Sequence, residues 1–253
     1  MSKSTAPSIA PSIPASKLVA HRGLQSQYPE NTLLSLNQAI AAGALFVELD
    51  VQFSRDKQPI IYHDTDLQRV SGIDNKVSNL TKDQLINYPA YEPQRFGNRY
   101  QGEKIAFLES LVSLLQSNPK VTAFVELKPE SLAHCTRQHM LLRVSEILAP
   151  VVNQVAIISY DYQLINQFRE ANWPQVGVVL KQWSDIENPI VLNCRPDYIF
   201  SDYRIIPEDT ALKTIKLFED GLLAVYEVGS VELALSLLAR GVDMIETFNL
   251  NDF

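Results

Sequence analysis

The chain has 253 residues and a formal net charge of −7, with 46% hydrophobic and 20% charged residues. That balance excludes a chain disordered throughout, and its sign argues against a protein that coats nucleic acid or an anionic bilayer. The length suits two small domains or one α/β barrel of about 250 residues.

Residues 1–16 are rich in Ser, Ala and Pro and carry no apolar run of the length a secretory leader needs, so they read as a flexible tail. A single domain is expected over 17–253. No later stretch approaches a membrane span. Cys135 and Cys194 form no C-x-x-C pair and no disulfide framework, which points to a reducing, cytoplasmic setting.

From Leu18 onward, short β-rich runs alternate with stretches of helical period. The runs are 18–22, 45–51, 122–128, 154–160, 175–180, 197–202, 222–228 and 244–248. The first helical stretch, 31–43, has Asn31 as its expected N-cap and Gly43 as its stop. Further helices are expected at LESLVSLL (108–115), Leu132–Leu148, YQLINQFREA (162–171), ALKTIKLFED (211–220) and VELALSLLARG (231–241). Only a short helix is expected around Trp183–Ile186. After the eighth run too few residues follow for a full helix. Eight parallel strands with crossovers point to a (β/α)8 TIM barrel. An open doubly wound sheet is the less favoured alternative, because no G-x-G-x-x-G turn follows the first strand.

One segment breaks the alternation. SRDKQ, between LFVELDVQF and PIIYHD, is too short for a parallel crossover, so 59–64 must return antiparallel as a hairpin. That register sets Phe53 near Pro59 and brings His63 back to the level of Leu49 and Asp50. Residues 65–107 exceed an ordinary βα loop and read as an insertion capping the barrel mouth, with a short helix near Leu80–Asn87.

Side chains alternate along a strand. If Val47, Leu49 and Val51 face the helices, Glu48 and Asp50 face the lumen. By the same logic Val125 and Leu127 face outward and Glu126 and Lys128 inward. Three carboxylates in one low-dielectric space repel unless something positive sits among them. A divalent cation is the simplest remedy, and all-oxygen ligation favours Mg²⁺, Ca²⁺ or Mn²⁺ over zinc. His21 and His63, at strand ends beside this cluster, have the near-neutral chemistry of a general acid and base. Arg22 offers a planar fork suited to phosphate. His134 and His139, on a helical segment, read as structural.

VAHRG (19–23), YPENT (28–32), VELDVQFSRDKQPIIYHD (47–64), LQRVSG (67–72) and VELK (125–128) together resemble the glycerophosphodiester phosphodiesterase family. The resemblance implies a TIM barrel that hydrolyses glycerophosphodiesters to sn-glycerol 3-phosphate and an alcohol. By motif position it implies metal ligation by Glu48, Asp50 and Glu126, acid/base work by His21 and His63, and phosphate contacts from Arg22 and Lys128. In the implied mechanism the neighbouring glycerol hydroxyl attacks, and water opens the cyclic phosphate. Glu30, Asn31 and Tyr226 are expected to line the mouth. The C-terminal third departs from the family pattern. Tyr226-Glu227-Val228-Gly229 stands where W-T-V-N is usual, and Ile245-Glu246-Thr247-Phe248 where I-T-D is usual.

The expected partner is a small-molecule glycerophosphodiester, with no nucleic acid and no stable membrane anchoring. A related barrel phospholipase and a non-catalytic phosphate- or metal-binding barrel are the rival readings.

Overall fold

In chain order the strands are β1 (Leu18–Ala20), β2 (Phe46–Phe53), β3 (Pro59–Ile61), β4 (Ala106–Phe107), β5 (Thr122–Leu127), β6 (Val155–Ser159), β7 (Gln175–Val179), β8 (Tyr198–Asp202), β9 (Leu222–Tyr226) and β10 (Met244–Thr247). The computed structural model describes residues 13–215 and 221–253. Strand β1 pairs in parallel with both β2 and β10, which closes the sheet. Every other neighbouring pair around the wall is also parallel, from β2–β5 through to β9–β10. The eight expected strands form the wall, and the expected TIM barrel is what the chain adopts.

Alternation along the strands divides the apolar residues into two cores. Val19, Phe124, Ala156, Ile158, Val179, Phe200, Ala224 and Met244 pack in the lumen. Leu49, Val125, Ile157, Val225 and their like face the surrounding helices. Those helices include α1 (Leu33–Ala41), three short ones within the insertion, α2 (Gln68–Ser71), α3 (Lys82–Leu85) and α4 (Pro93–Phe96), and then α5 (Leu108–Gln116), α6 (Arg137–Leu148), α7 (Tyr162–Glu170), α8 (Pro189–Cys194) and α9 (Val231–Arg240).

The hairpin register is as expected, with Phe53 opposite Pro59 and the Tyr62 N–H donating to Asp50 O at 2.9 Å. Strand β3 also pairs antiparallel with β4, an element not foreseen. The insertion has its own small core, in which Leu67, Val70, Val77 and Leu85 pack on Ile60, Tyr62 and Phe107.

Several local expectations need correction. Thr32, not Asn31, caps α1: its Oγ1 accepts from Ser35 N at 3.0 Å while Ser35 Oγ accepts from Thr32 N. The tail reading fails at its inner end. Ile13 is buried, its N–H donates to Phe253 O at 3.1 Å, and Ala15–Lys17 forms a 3₁₀ turn. Residues 1–12 of that tail lie outside the described residues. The single helix expected over Leu132–Leu148 is divided, because Thr136 caps a fresh start by accepting from His139 N. Helix α8, capped by Asn188, was not anticipated. Of the helix expected over 211–220, Leu212–Thr214 is a 3₁₀ turn and 216–220 lie outside the described residues. Beyond β10 one 3₁₀ turn, Leu250–Asp252, follows.

The β1–α1 junction fixes the site. Arg22 and Gly23 take left-handed backbone, at φ 54° and 83°. A Cβ on Gly23 would lie 2.5 Å from the carbonyl carbon of Ser35, so only glycine lets the end of β1 press against α1.

Candidate active site

At the C-terminal end of the barrel, His21, Arg22, Glu48, His63, Glu126, Lys128, Tyr160, Phe200, Tyr226 and Glu246 line one pocket. Strand β2 supplies Glu48 and Asp50 and β5 supplies Glu126. Asp50 stands directly opposite Glu126 in the ladder. One carboxylate oxygen from each of the three lies within 4.8 Å of the others. Asp50 and Glu126 share a cation of the chain itself: Lys128 Nζ is 2.9 Å from both Asp50 Oδ1 and Glu126 Oε1. Arg22 Nε lies 3.0 Å from Asp50 Oδ2, and the Asn31 amide donates to the same oxygen at 2.9 Å. Glu48 is less well served. Its Oε2 accepts from the Arg22 backbone N–H at 3.0 Å, while its buried Oε1 has no partner.

These contacts set the protonation of the site. Burial pushes Asp50 upward, but Lys128 and Arg22 outweigh it and hold the carboxylate well below its ordinary range. Burial raises Glu48 well above the usual value, reinforced by Asp50, Glu246 and Glu126. Glu126 is raised by burial against the opposing pull of Lys128. The near-neutral pKa expected of His21 is not found. Burial, with Arg22 beside it, lowers the imidazole to about 3, so His21 is a neutral ring at physiological pH.

His63 stands on the hairpin, where the Gln52 amide donates to its carbonyl at 2.9 Å. Its Nδ1 lies 2.7 Å from Asp64 Oδ1. Burial raises Asp64, but hydrogen bonds from His63 and Arg69 outweigh it and keep the carboxylate ionised. An ionised carboxylate only accepts, so Nδ1 donates and Nε2 is left as the working nitrogen. Arg69, from α2 in the insertion, clamps Asp64 at 2.8 and 2.9 Å and Glu30 at 2.7 and 2.8 Å. Glu30 in turn binds Arg22 Nη1 at 2.9 Å. A chain of alternating charges therefore runs from Arg22 to His63 and pins the insertion to the β1–α1 loop.

The structure brings His21, Arg22, Glu48, Asp50, His63, Glu126 and Lys128 together. Tyr226 lines the pocket as expected, its hydroxyl 2.9 Å from that of Tyr160. Glu30 and Asn31 do not line the mouth. Both are buried behind it, because the left-handed turn at Asn31, φ 55°, aims their side chains at Arg22 and Asp50. His134 and His139 are structural, as expected, each with Nε2 about 3 Å from a β-hairpin carbonyl, of Phe53 and Lys57. The sequence reading missed Arg69, Asp64, Tyr160 and Glu246. Alternation in MIET was a usable signal for the last: with Ile245 facing outward, Met244 and Glu246 must face the lumen.

Residues 21–242 match the model of the glycerophosphoryl diester phosphodiesterase family. The chain belongs to that family. Glycerophosphodiester phosphodiesterase 1 of Bos taurus is 34% identical over 168 residues, covering 66% of this chain and 49% of that protein. The glycerophosphodiester phosphodiesterase of Bacillus altitudinis is 31% identical over 112 residues, 44% of this chain and 45% of its own. The match spans about half the length of these curated relatives. Among solved structures, an Oleispira antarctica phosphodiesterase in complex with the product sn-glycerol-3-phosphate superposes with a TM-score of 0.79 at 23% identity, covering 92% of each chain. A glycerophosphodiester phosphodiesterase from Agrobacterium tumefaciens gives 0.74 at 20% identity, covering 94% of this chain and 98% of that one. At such identities the two structures speak for the shared fold. Among the described residues no helix is long and apolar enough to cross a membrane.

Proposed function

We propose that this chain hydrolyses glycerophosphodiesters to sn-glycerol 3-phosphate and an alcohol, using one divalent cation, Mg²⁺ or Ca²⁺ (Mn²⁺ also suits the oxygen ligands), with His21 and His63 as acid/base pair. One observation carries the reading: three lumen carboxylates converge within 4.8 Å at the mouth of a barrel where two imidazoles also open.

The donor set fits the cation. Glu48, Asp50 and Glu126 offer oxygen alone, and the unpartnered, buried Glu48 Oε1 is the sort of atom a bound ion satisfies. When bound, the ion neutralises charge on a non-bridging phosphate oxygen. Arg22 and Lys128 hold the phosphodiester from either side of Asp50, and their own carboxylate contacts keep them in place. His21, kept neutral by burial, accepts the proton of the glycerol hydroxyl as that oxygen bonds to phosphorus. His63, fixed by Asp64 through Nδ1, gives a proton from Nε2 to the departing alkoxide as its bond to phosphorus breaks. Water then reverses the two proton transfers and opens the cyclic phosphate. Each transfer contributes about 10²–10⁴-fold, and the internal attack gains from an effective molarity on the order of 10⁵ M or more.

The test is release of sn-glycerol 3-phosphate from a panel of glycerophosphodiesters, each with Mg²⁺, Ca²⁺ or Mn²⁺ and with a chelator. Turnover that needs the ion and falls by several orders of magnitude in His21→Ala and His63→Ala is expected. Full activity in the chelator rejects the metal role, and no turnover of any diester rejects the enzyme.

A further inference from the structure

The lumen holds one carboxylate more than that reading uses. Glu246 on β10 is 3% exposed, and its Oε1 is buried without a hydrogen-bond partner. It opens into the same pocket as Glu48 and Glu126. One ligand atom each of Glu246, Glu48 and His21 lie within 4.8 Å of one another, so Glu48 belongs to both this group and the group with Asp50 and Glu126.

The chain's own cations sit on one side of this array. Lys128 forms ion pairs with Asp50 and Glu126, and Arg22 forms one with Asp50. Glu48 and Glu246 face each other across the other side with an unpartnered oxygen apiece. With Glu30 matched by Arg69, the four carboxylates once ionised leave two negative charges over against Arg22 and Lys128, the charge of one divalent ion. A buried charge left unmatched is costly, and a shared cation removes both excess charges at once.

We propose that Glu246 is a fourth carboxylate ligand of the cation, drawing it toward the Glu48 side of the cluster. This rests on the cation reading of the site. The ring of His21 stays free for proton transfer, because the two carboxylates supply the ligands on that side. Four carboxylates suit an ion that takes 6–8 oxygens at about 2.3–2.6 Å, which describes Ca²⁺, better than Mg²⁺, which keeps several waters. Glu246 therefore sets ion preference in this chain.

Terbium(III), a luminescent stand-in for Ca²⁺, tests this directly, since Tyr160 and Tyr226 line the pocket and can sensitise it. Emission lifetimes in H₂O and D₂O count the waters left on the ion. Glu246→Gln should weaken Ca²⁺ roughly tenfold or more, weaken Mg²⁺ less, and add about one water to bound Tb³⁺. Glu246→Asp, which keeps the charge but withdraws it by one methylene, should fall between the two. Unchanged Ca²⁺ affinity and water count in both variants overturn the role of Glu246 while leaving the three-carboxylate site standing. A wild-type protein that binds no ion overturns both.

Discussion

Asp64 shows how much one side chain can decide here. It touches His63 Nδ1 at 2.7 Å and takes two bonds from Arg69, so it sets which ring nitrogen carries the proton. Replacing it with Asn keeps the shape but offers an amide that can donate as well as accept, which releases the tautomer. In Asp64→Asn, kcat should fall about 10²–10⁴-fold, the usual worth of an acid/base group, with KM changed little. The ¹⁵N shifts of the neutral His63 ring should move from an Nδ1–H to a mixed tautomer. Retained kcat with unchanged ¹⁵N shifts would reject the positioning role. Because Arg69 reaches Asp64 from the insertion, Arg69→Met should show a weaker form of the same change.

At the level of elements, the β1–α1 turn is the most exacting. Gly23 has φ 83° and a Cβ there would meet Ser35 backbone at 2.5 Å. Gly23→Ala should therefore destabilise the protein by more than about 2 kcal/mol, read as a drop in urea midpoint, and should weaken ion binding because Arg22 and Glu48 share a hydrogen bond at that turn. Alternation and loop length made much of this legible in the sequence. That Asp50 and Glu126 share the lumen follows from period two on β2 and β5, whereas their register opposite each other does not. The five-residue link to β3 forced the hairpin that returns His63. Asn31 misled because Asn is a good cap, whereas the left-handed backbone at 31 hands the cap to Thr32 and turns Asn31 onto Asp50. Arg69 and Asp64 were illegible for another reason. Glu30, which Arg69 holds, lies far from it along the chain; α2, which carries Arg69, is only four residues long, and Asp64 stands in no strand or helix. Nor does anything local announce that Ile13 tucks against Phe253.

For the molecule as a whole, the acidic lumen is a standing tension that folding tolerates. The raised pKa values of Glu48 and Glu246 come first from burial and then from neighbouring carboxylates. A carboxylate raised on folding contributes stability that is fully present below its unfolded value of about 4.5 and lost as pH rises through the folded value. An ion that binds the charged forms should therefore raise the melting temperature more at pH 7.5 than at pH 5, and its uptake should release protons. Calorimetry in two buffers of different ionisation enthalpy measures that release; an ion-induced shift independent of pH would contradict it.

The hairpin after β2 has a consequence for how this architecture can vary. Strand β2 runs the full height of the wall beside β5, and the chain leaves only past Phe53, folds the insertion on its own small core, and returns through β4 and α5 to begin β5 at Thr122, level with Phe46 at the start of β2. The detour is hung on the rim like a balcony. Its outer length and decoration can drift, and with them the molecules it admits, while the spacing of Asp50 and Glu126 stays locked by the masonry of the β2–β5 ladder.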